Sequence, residues 1–135
     1  QDSLHMLMTC EPQIKEIGDL ISRTDVLLFG IGTAMRMADQ RHIADDVRKQ
    51  LVDNHAVGEA LGQYCDIEGK LIYSTNNIGL SLPDVVKVPN VIAVAGGQEK
   101  ASAIIGVMRA CQKGILIIDE QAAEGMRQLL QISAL

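Results

Sequence analysis

The residues best suited to chemistry lie in Val91–Lys100, which reads VIAVAGGQEK. Five apolar residues end in Gly96 and Gly97, and Lys100 follows at the start of a helical stretch. Paired glycines let a backbone turn sharply and come close to a bound group. A helix start offers unpaired N–H groups and a positive dipole end, which suits an anion. A lysine in that first turn opposes the dipole, and an anion relieves the opposition. The predicted chemistry is binding of a phosphate or carboxylate. The other reading of Lys100 is a solvated lysine beside Glu99.

Gly30-Ile31-Gly32 follows a second apolar run, Asp25–Phe29. As a GxGxxG dinucleotide fingerprint it fails, because Met35 replaces the third glycine and no acidic strand end follows at the usual distance. It remains either a tight turn or a loop lining a ligand pocket. GGQEK is not a Walker A loop, since Ala101 stands where a magnesium-binding hydroxyl belongs. Glu59, in HAVGEALG, is either the surface carboxylate of a short helix or, beside a phosphate site, an acceptor for sugar hydroxyls. Asp119 reads as a helix N-cap, with a ligand contact as the alternative. Asp45-Asp46 complements the dipole of its own helix. No nucleophile or general base has an orienting partner in the sequence, so the expectation is an anion site without a catalytic set.

At 135 residues the chain has one domain's length. Its 47% hydrophobic content opposes disorder. A net charge of −5 and 2% aromatics oppose a nucleic-acid surface, which needs basic patches and stacking rings. Cys10, Cys65 and Cys111 have no CxxC or zinc spacing and read as reduced thiols of a cytosolic protein. His5, His42 and His55 form no HExxH or similar pair, so no metal is expected. No apolar run approaches the roughly 18 residues a membrane span needs. The chain starts with Gln, which suggests a processed or truncated piece of a longer protein.

These residues must be positioned by alternating strands and helices. Glu11–Ser22 reads as a helix with Pro12 in its first turn, and Asp25–Phe29 as a buried strand. Ala34–Arg41 and Ile43–Asp53 read as helices, the latter amphipathic with Ile43, Val47 and Leu51 on one face. Asn54–Leu61 is expected as a turn and a short helix containing Glu59. Asp66–Gly69 is the turn of a small hairpin between YC and KLIYS. Thr75–Leu82 is expected as loop or edge strand, and Pro83 and Pro89 bracket a connector. VIAVA is a strand buried on both faces. A helix of about a dozen residues follows, with Ala101, Ile104, Ile105, Met108 and Cys111 inward and Gly114 at C′. ILII, Ile115–Ile118, is a third buried strand. The last helix places Ala122, Met126, Leu129 and Leu130 inward. This alternation predicts an α/β fold with a parallel, doubly wound sheet. Its three strand-to-helix junctions open on one edge, where ligands bind.

The blocks DVLLFGIG, HAVGEALGQYCDIEGKLI, NNIGLSL, VIAVAGGQEKASAI and ILIIDEQAA occur in this order. Together they resemble the effector-binding domain of SorC-type bacterial transcriptional repressors, over about Ile14 to Leu130. Within that family the similarity is greatest to the branch governing central glycolytic genes. The resemblance implies a Rossmann-like three-layer sandwich related to sugar-phosphate isomerases and glucosamine-6-phosphate deaminase, with a β-hairpin insertion. It implies a phosphorylated sugar as effector, fructose 1,6-bisphosphate in the glycolytic branch, and no cofactor. By position, the phosphate-binding lysine of GGxxK falls on Lys100 after Gly96 and Gly97. The sugar-contacting acid falls on Glu59, and the pocket loop on Gly30, Ile31 and Gly32. The family's helix-turn-helix and the earlier, Gly/Thr-rich half of its effector domain have no counterpart here. Residues 1–135 are therefore expected to be a single, partial effector-binding domain that reaches operator DNA only through an absent N-terminal region. An exposed sheet edge and apolar surface would favour homo-oligomers. The alternative, an isomerase or deaminase-like enzyme, lacks its usual residues: Thr33-Ala34-Met35-Arg36 carries no Asp or His after the glycine loop.

Overall fold

The structure is a computed structural model and describes Ser3, Met6 and residues 10–131. His5 lies outside the described residues. The elements in chain order are α1 (Pro12–Ser22), β1 (Val26–Gly30), β2 (Gly32–Thr33), α2 (Ala34–Gln40), α3 (Asp45–Asp53), β3 (Gly58–Ala60), β4 (Gln63–Cys65) and β5 (Leu71–Ser74). A 3-10 turn (Pro83–Lys87), β6 (Asn90–Ala95), a second 3-10 turn (Gln98–Lys100), α4 (Ala101–Cys111), β7 (Ile115–Ile118) and α5 (Glu120–Leu129) complete the fold.

Two sheets divide the strands. The first is parallel in the order β1-β6-β7, with Phe29 opposite Ala93 and Ala93 opposite Leu116. This is the expected α/β arrangement, with helical crossovers between parallel strands. The second sheet is antiparallel in the order β2-β3-β4-β5. The expected hairpin is therefore its outer half, β4 and β5, and joins the glycine loop through β3.

The main core lies between one face of the parallel sheet and α4. Phe29, Val91, Ala93 and Ala95 meet Ala103, Ile104, Val107 and Cys111 there. A smaller core of Ala34, Ala38, Leu51 and Tyr64 lies under α2 and α3. Burial pushes the Cys65 thiol up to about 12, helped by the nearby Asp66 charge, and the Cys111 thiol up to about 11. Both are protonated core groups at neutral pH.

Several local expectations are corrected. The parallel strands are not buried on both faces: Val26, Leu28, Val94, Ile115 and Ile117 are exposed, Leu28 to 67% and Ile115 to 65%. Helix α4 covers one face, and no described element covers the other. Leu129 and Leu130 are likewise exposed, because α5 packs through Ala122 and Gly125. The left-handed residue ending α4 is Gln112, at φ +57°, and not Gly114. Gly114 instead passes close to Val91 on its way into β7.

The largest correction concerns Asn54–Leu61, which forms strand β3 and no helix. Gly58 decides this, because a Cβ there would stand 2.8 Å from the Ala103 carbonyl oxygen and 2.9 Å from its Cα. The close approach of β3 to α4, with pairing to both β2 and β4, outweighs the local helix preference of Glu-Ala-Leu.

Candidate functional site

Strands β1 and β6 run with their carboxyl ends at a cavity of about 500 Å³. Gly30, Ile31 and Gly32 form one wall, as the chain leaves β1 and crosses into β2. Ile31 donates its N–H to the Val94 carbonyl at 3.3 Å, tying this loop to β6. At Gly32 a Cβ would stand 2.4 Å from Met37 Cγ, so no other residue fits between the loop and α2 without displacing that side chain.

Glu59 enters from β3, opposite Gly32 in register. It is only 3% exposed. Its Oε1 accepts the Gly62 N–H at 2.7 Å and pairs with Arg41 at 3.1 Å. The first bond secures the β3–β4 turn, where Leu61 and Gly62 both have positive φ, +54° and +78°. Two such residues are what a two-residue hairpin demands, and Leu61 bears the strain a glycine would avoid. No hydrogen bond to Glu59 Oε2 is made among the described residues, so the second oxygen is the one a hydroxyl ligand would meet.

Lys100 closes the cavity from the other side. It stands at the end of the Gln98–Lys100 turn, immediately before α4, with its N–H donated to the Gly97 carbonyl at 3.2 Å. The described residues offer its ammonium no ion pair. Gly96 and Gly97, expected at the site, do not line the cavity. The Gly97 N–H is already taken by the Asp119 carboxylate at 3.0 and 3.1 Å. Asp119 is also the expected N-cap of α5, accepting the Ala122 N–H at 2.8 Å. These two backbone donors, Ala122 first, hold its carboxyl below the usual carboxylate range.

Four polar lining residues escaped the sequence reading: Thr33, Arg36, Gln40 and Arg41. They come from the start, middle and end of the α2 region. Their signal was the i, i+4 relation of Arg36 and Gln40 on a helix that begins at the glycine loop. Among the described lining residues Arg36, Arg41 and Lys100 oppose the single carboxylate of Glu59, a surplus of two positive charges in a chain of net charge −5. Chemically, the site can hold an anion on cations and accept hydrogen bonds from hydroxyls on Glu59.

Tyr64, opposite Glu59 in register on β4, is fully buried, and its hydroxyl has no hydrogen-bond partner among the described residues. Burial, and then the Glu59 charge, raise its pKa, so it remains a protonated donor. Its ring lies against Tyr73 at 6.0 Å between centroids. Tyr64→Phe is expected to leave stability unchanged or raise it by about 1 kcal/mol, because it removes an orphaned donor and keeps the ring. Urea unfolding checks this, and a loss of more than about 1 kcal/mol would mean the hydroxyl has a partner such as buried water.

Residues 1–128 match the Sugar-bind family model, described as "Putative sugar-binding domain". The chain belongs to this family. Its relatives place this Sugar-bind domain among SorC-type transcriptional regulators, the family its sequence blocks resemble. It is 37% identical over 114 residues to the Central glycolytic genes regulator of Bacillus subtilis (strain 168), covering 84% of this chain and 34% of that protein. It is 37% identical over 123 residues to the protein of the same name from Priestia megaterium, covering 91% and 36%. A solved "putative SorC family transcriptional regulator" from Enterococcus faecalis superposes with a TM-score of 0.81 at 39% identity, over 93% of this chain and 49% of that one. The Sugar-bind chain thus spans about a third of the curated relatives' length and about half of the solved chain.

Proposed function

We propose that this chain is the effector-sensing part of a cytoplasmic transcriptional repressor of glycolytic or other carbohydrate genes. Its effector is a phosphorylated sugar, fructose 1,6-bisphosphate or a related compound. Binding changes the oligomer and, through a DNA-binding region elsewhere in the protein, weakens the hold on operator DNA. In this reading the chain senses the sugar and carries out no reaction on it.

One observation carries this reading: Arg36, Arg41 and Lys100 line a cavity whose one carboxylate among the described residues is buried and paired with Arg41. Cations suit the phosphate, and the free oxygen of Glu59 suits a sugar hydroxyl. The names of the relatives agree with a carbohydrate-responsive regulator. Glu59 is already engaged by Arg41 and Gly62, which suits a binding group better than a general base.

Thermal unfolding of the protein with fructose 1,6-bisphosphate, hexose monophosphates and unphosphorylated sugars tests the proposal. Phosphorylated sugars are expected to stabilise, by about 2.7 kcal/mol at a hundred times Kd. Unphosphorylated sugars are expected to have no effect. Equal stabilisation by both would remove the phosphate from the reading, and turnover of a sugar phosphate would replace the sensor with an enzyme.

A further inference from the structure

Asp119 lies outside the cavity lining, yet it is bonded to the turn that presents Lys100. Its carboxylate spans two elements, accepting the Ala122 N–H inside α5 and the Gly97 N–H after β6. Gly97 has φ +96°, a conformation that a free glycine leaves easily and that needs a partner to persist. Gly96 fits the same contact: a Cβ there would stand 2.9 Å from Asp119 Oδ2. A second contact of α5 reaches the same turn. Gly125 lies so close that a Cβ on it would be 2.9 Å from Ala101 Cβ and 3.1 Å from Gln98 Cγ. Helix α5 therefore backs the Gly97–Ala101 segment at both ends.

We propose that Asp119 is a positioning residue for the anion grip of Lys100. It accepts the Gly97 amide and locks the paired-glycine turn from behind. The ammonium of Lys100 is then held at the cavity before any ligand arrives, so little ordering cost falls on binding. This rests on the phosphorylated-sugar reading above, and it makes α5 part of the recognition apparatus although none of its residues lines the cavity.

Three substitutions separate positioning from simple helix capping, with affinity measured by calorimetry for fructose 1,6-bisphosphate on the folded protein. Asp119→Ser keeps an N-cap acceptor for Ala122 but is too short to hold Gly97 as well. It is expected to weaken binding roughly tenfold, part of the contribution of one charged hydrogen bond. Asp119→Asn, which retains an oxygen at the same reach, is expected to stay within about threefold of the parent. Lys100→Ala then supplies the deciding background: Asp119→Ser is expected to cost nothing further there, because a positioning residue acts only through what it positions. An equal loss in both backgrounds, or parental affinity for Asp119→Ser, would overturn the proposal. Failure of the parent protein to bind any phosphorylated sugar would instead overturn the functional reading on which it rests.

Discussion

Lys100→Ala is expected to weaken binding of phosphorylated sugars by roughly ten- to a hundredfold, the value of one charge-assisted hydrogen bond to phosphate. Any weak affinity for the unphosphorylated sugar should not change, because the ammonium addresses the phosphate alone. Stability should also be almost unaffected. Lys100 is half-buried, has no ion pair among the described residues, and its backbone role in the Gln98–Lys100 turn is kept by alanine. The parent's affinity should fall with added salt, and the variant's should fall less steeply. Calorimetric titration at two salt concentrations measures both effects. An unchanged affinity would make Lys100 an ordinary surface lysine and leave Arg36 and Arg41 as the phosphate partners.

Glu59→Ala should have the largest effect on the fold. The substitution orphans the Gly62 N–H inside a buried turn and removes the partner of Arg41. The orphaned donor costs about 1–3 kcal/mol. The lost ion pair adds less, because the Arg41 side chain is 40% exposed and water replaces the carboxylate. A total near 3 kcal/mol is expected, with the strained Leu61–Gly62 turn the first part to loosen. Glu59→Gln keeps an acceptor for Gly62 and should lose no more than about half as much. Both variants should also lose sugar affinity, through the missing hydroxyl acceptor. Denaturant unfolding and titration of the two variants measure these effects. A fully stable Glu59→Ala would show that the turn does not depend on the carboxylate.

Much of the candidate site is legible in the sequence because its residues belong to local motifs. Gly30–Gly32 and Lys100 each sit at the end of an apolar run, and parallel pairing brings such ends to one edge. Capping by Asp119 was legible for the same reason, since an N-cap is decided within four residues. Arg36 and Arg41 were not. They lie on a polar helix face whose sequence is equally suited to solvent, and only the packing of α2 across β2 and β3 turns them to the cavity. Glu59 was identified as a candidate but placed on the wrong kind of element, because Gly-Glu-Ala-Leu carries no strand alternation and three residues are too few to show a period.

Local sequence encodes the alternation of strands and helices, the apolar runs that form the parallel sheet, and a lysine placed just after paired glycines. These are contests between neighbouring residues, settled by propensity, periodicity and caps. Tertiary structure alone decided that the Gly97 amide serves Asp119 and not a ligand, that Glu59 is buried in a strand, and that one face of the parallel sheet carries exposed Leu28 and Ile115. Each depends on groups far apart in the chain, 22 residues for Gly97 and Asp119. Which distant group a backbone donor or a sheet face meets is set by packing, and no local pattern encodes it.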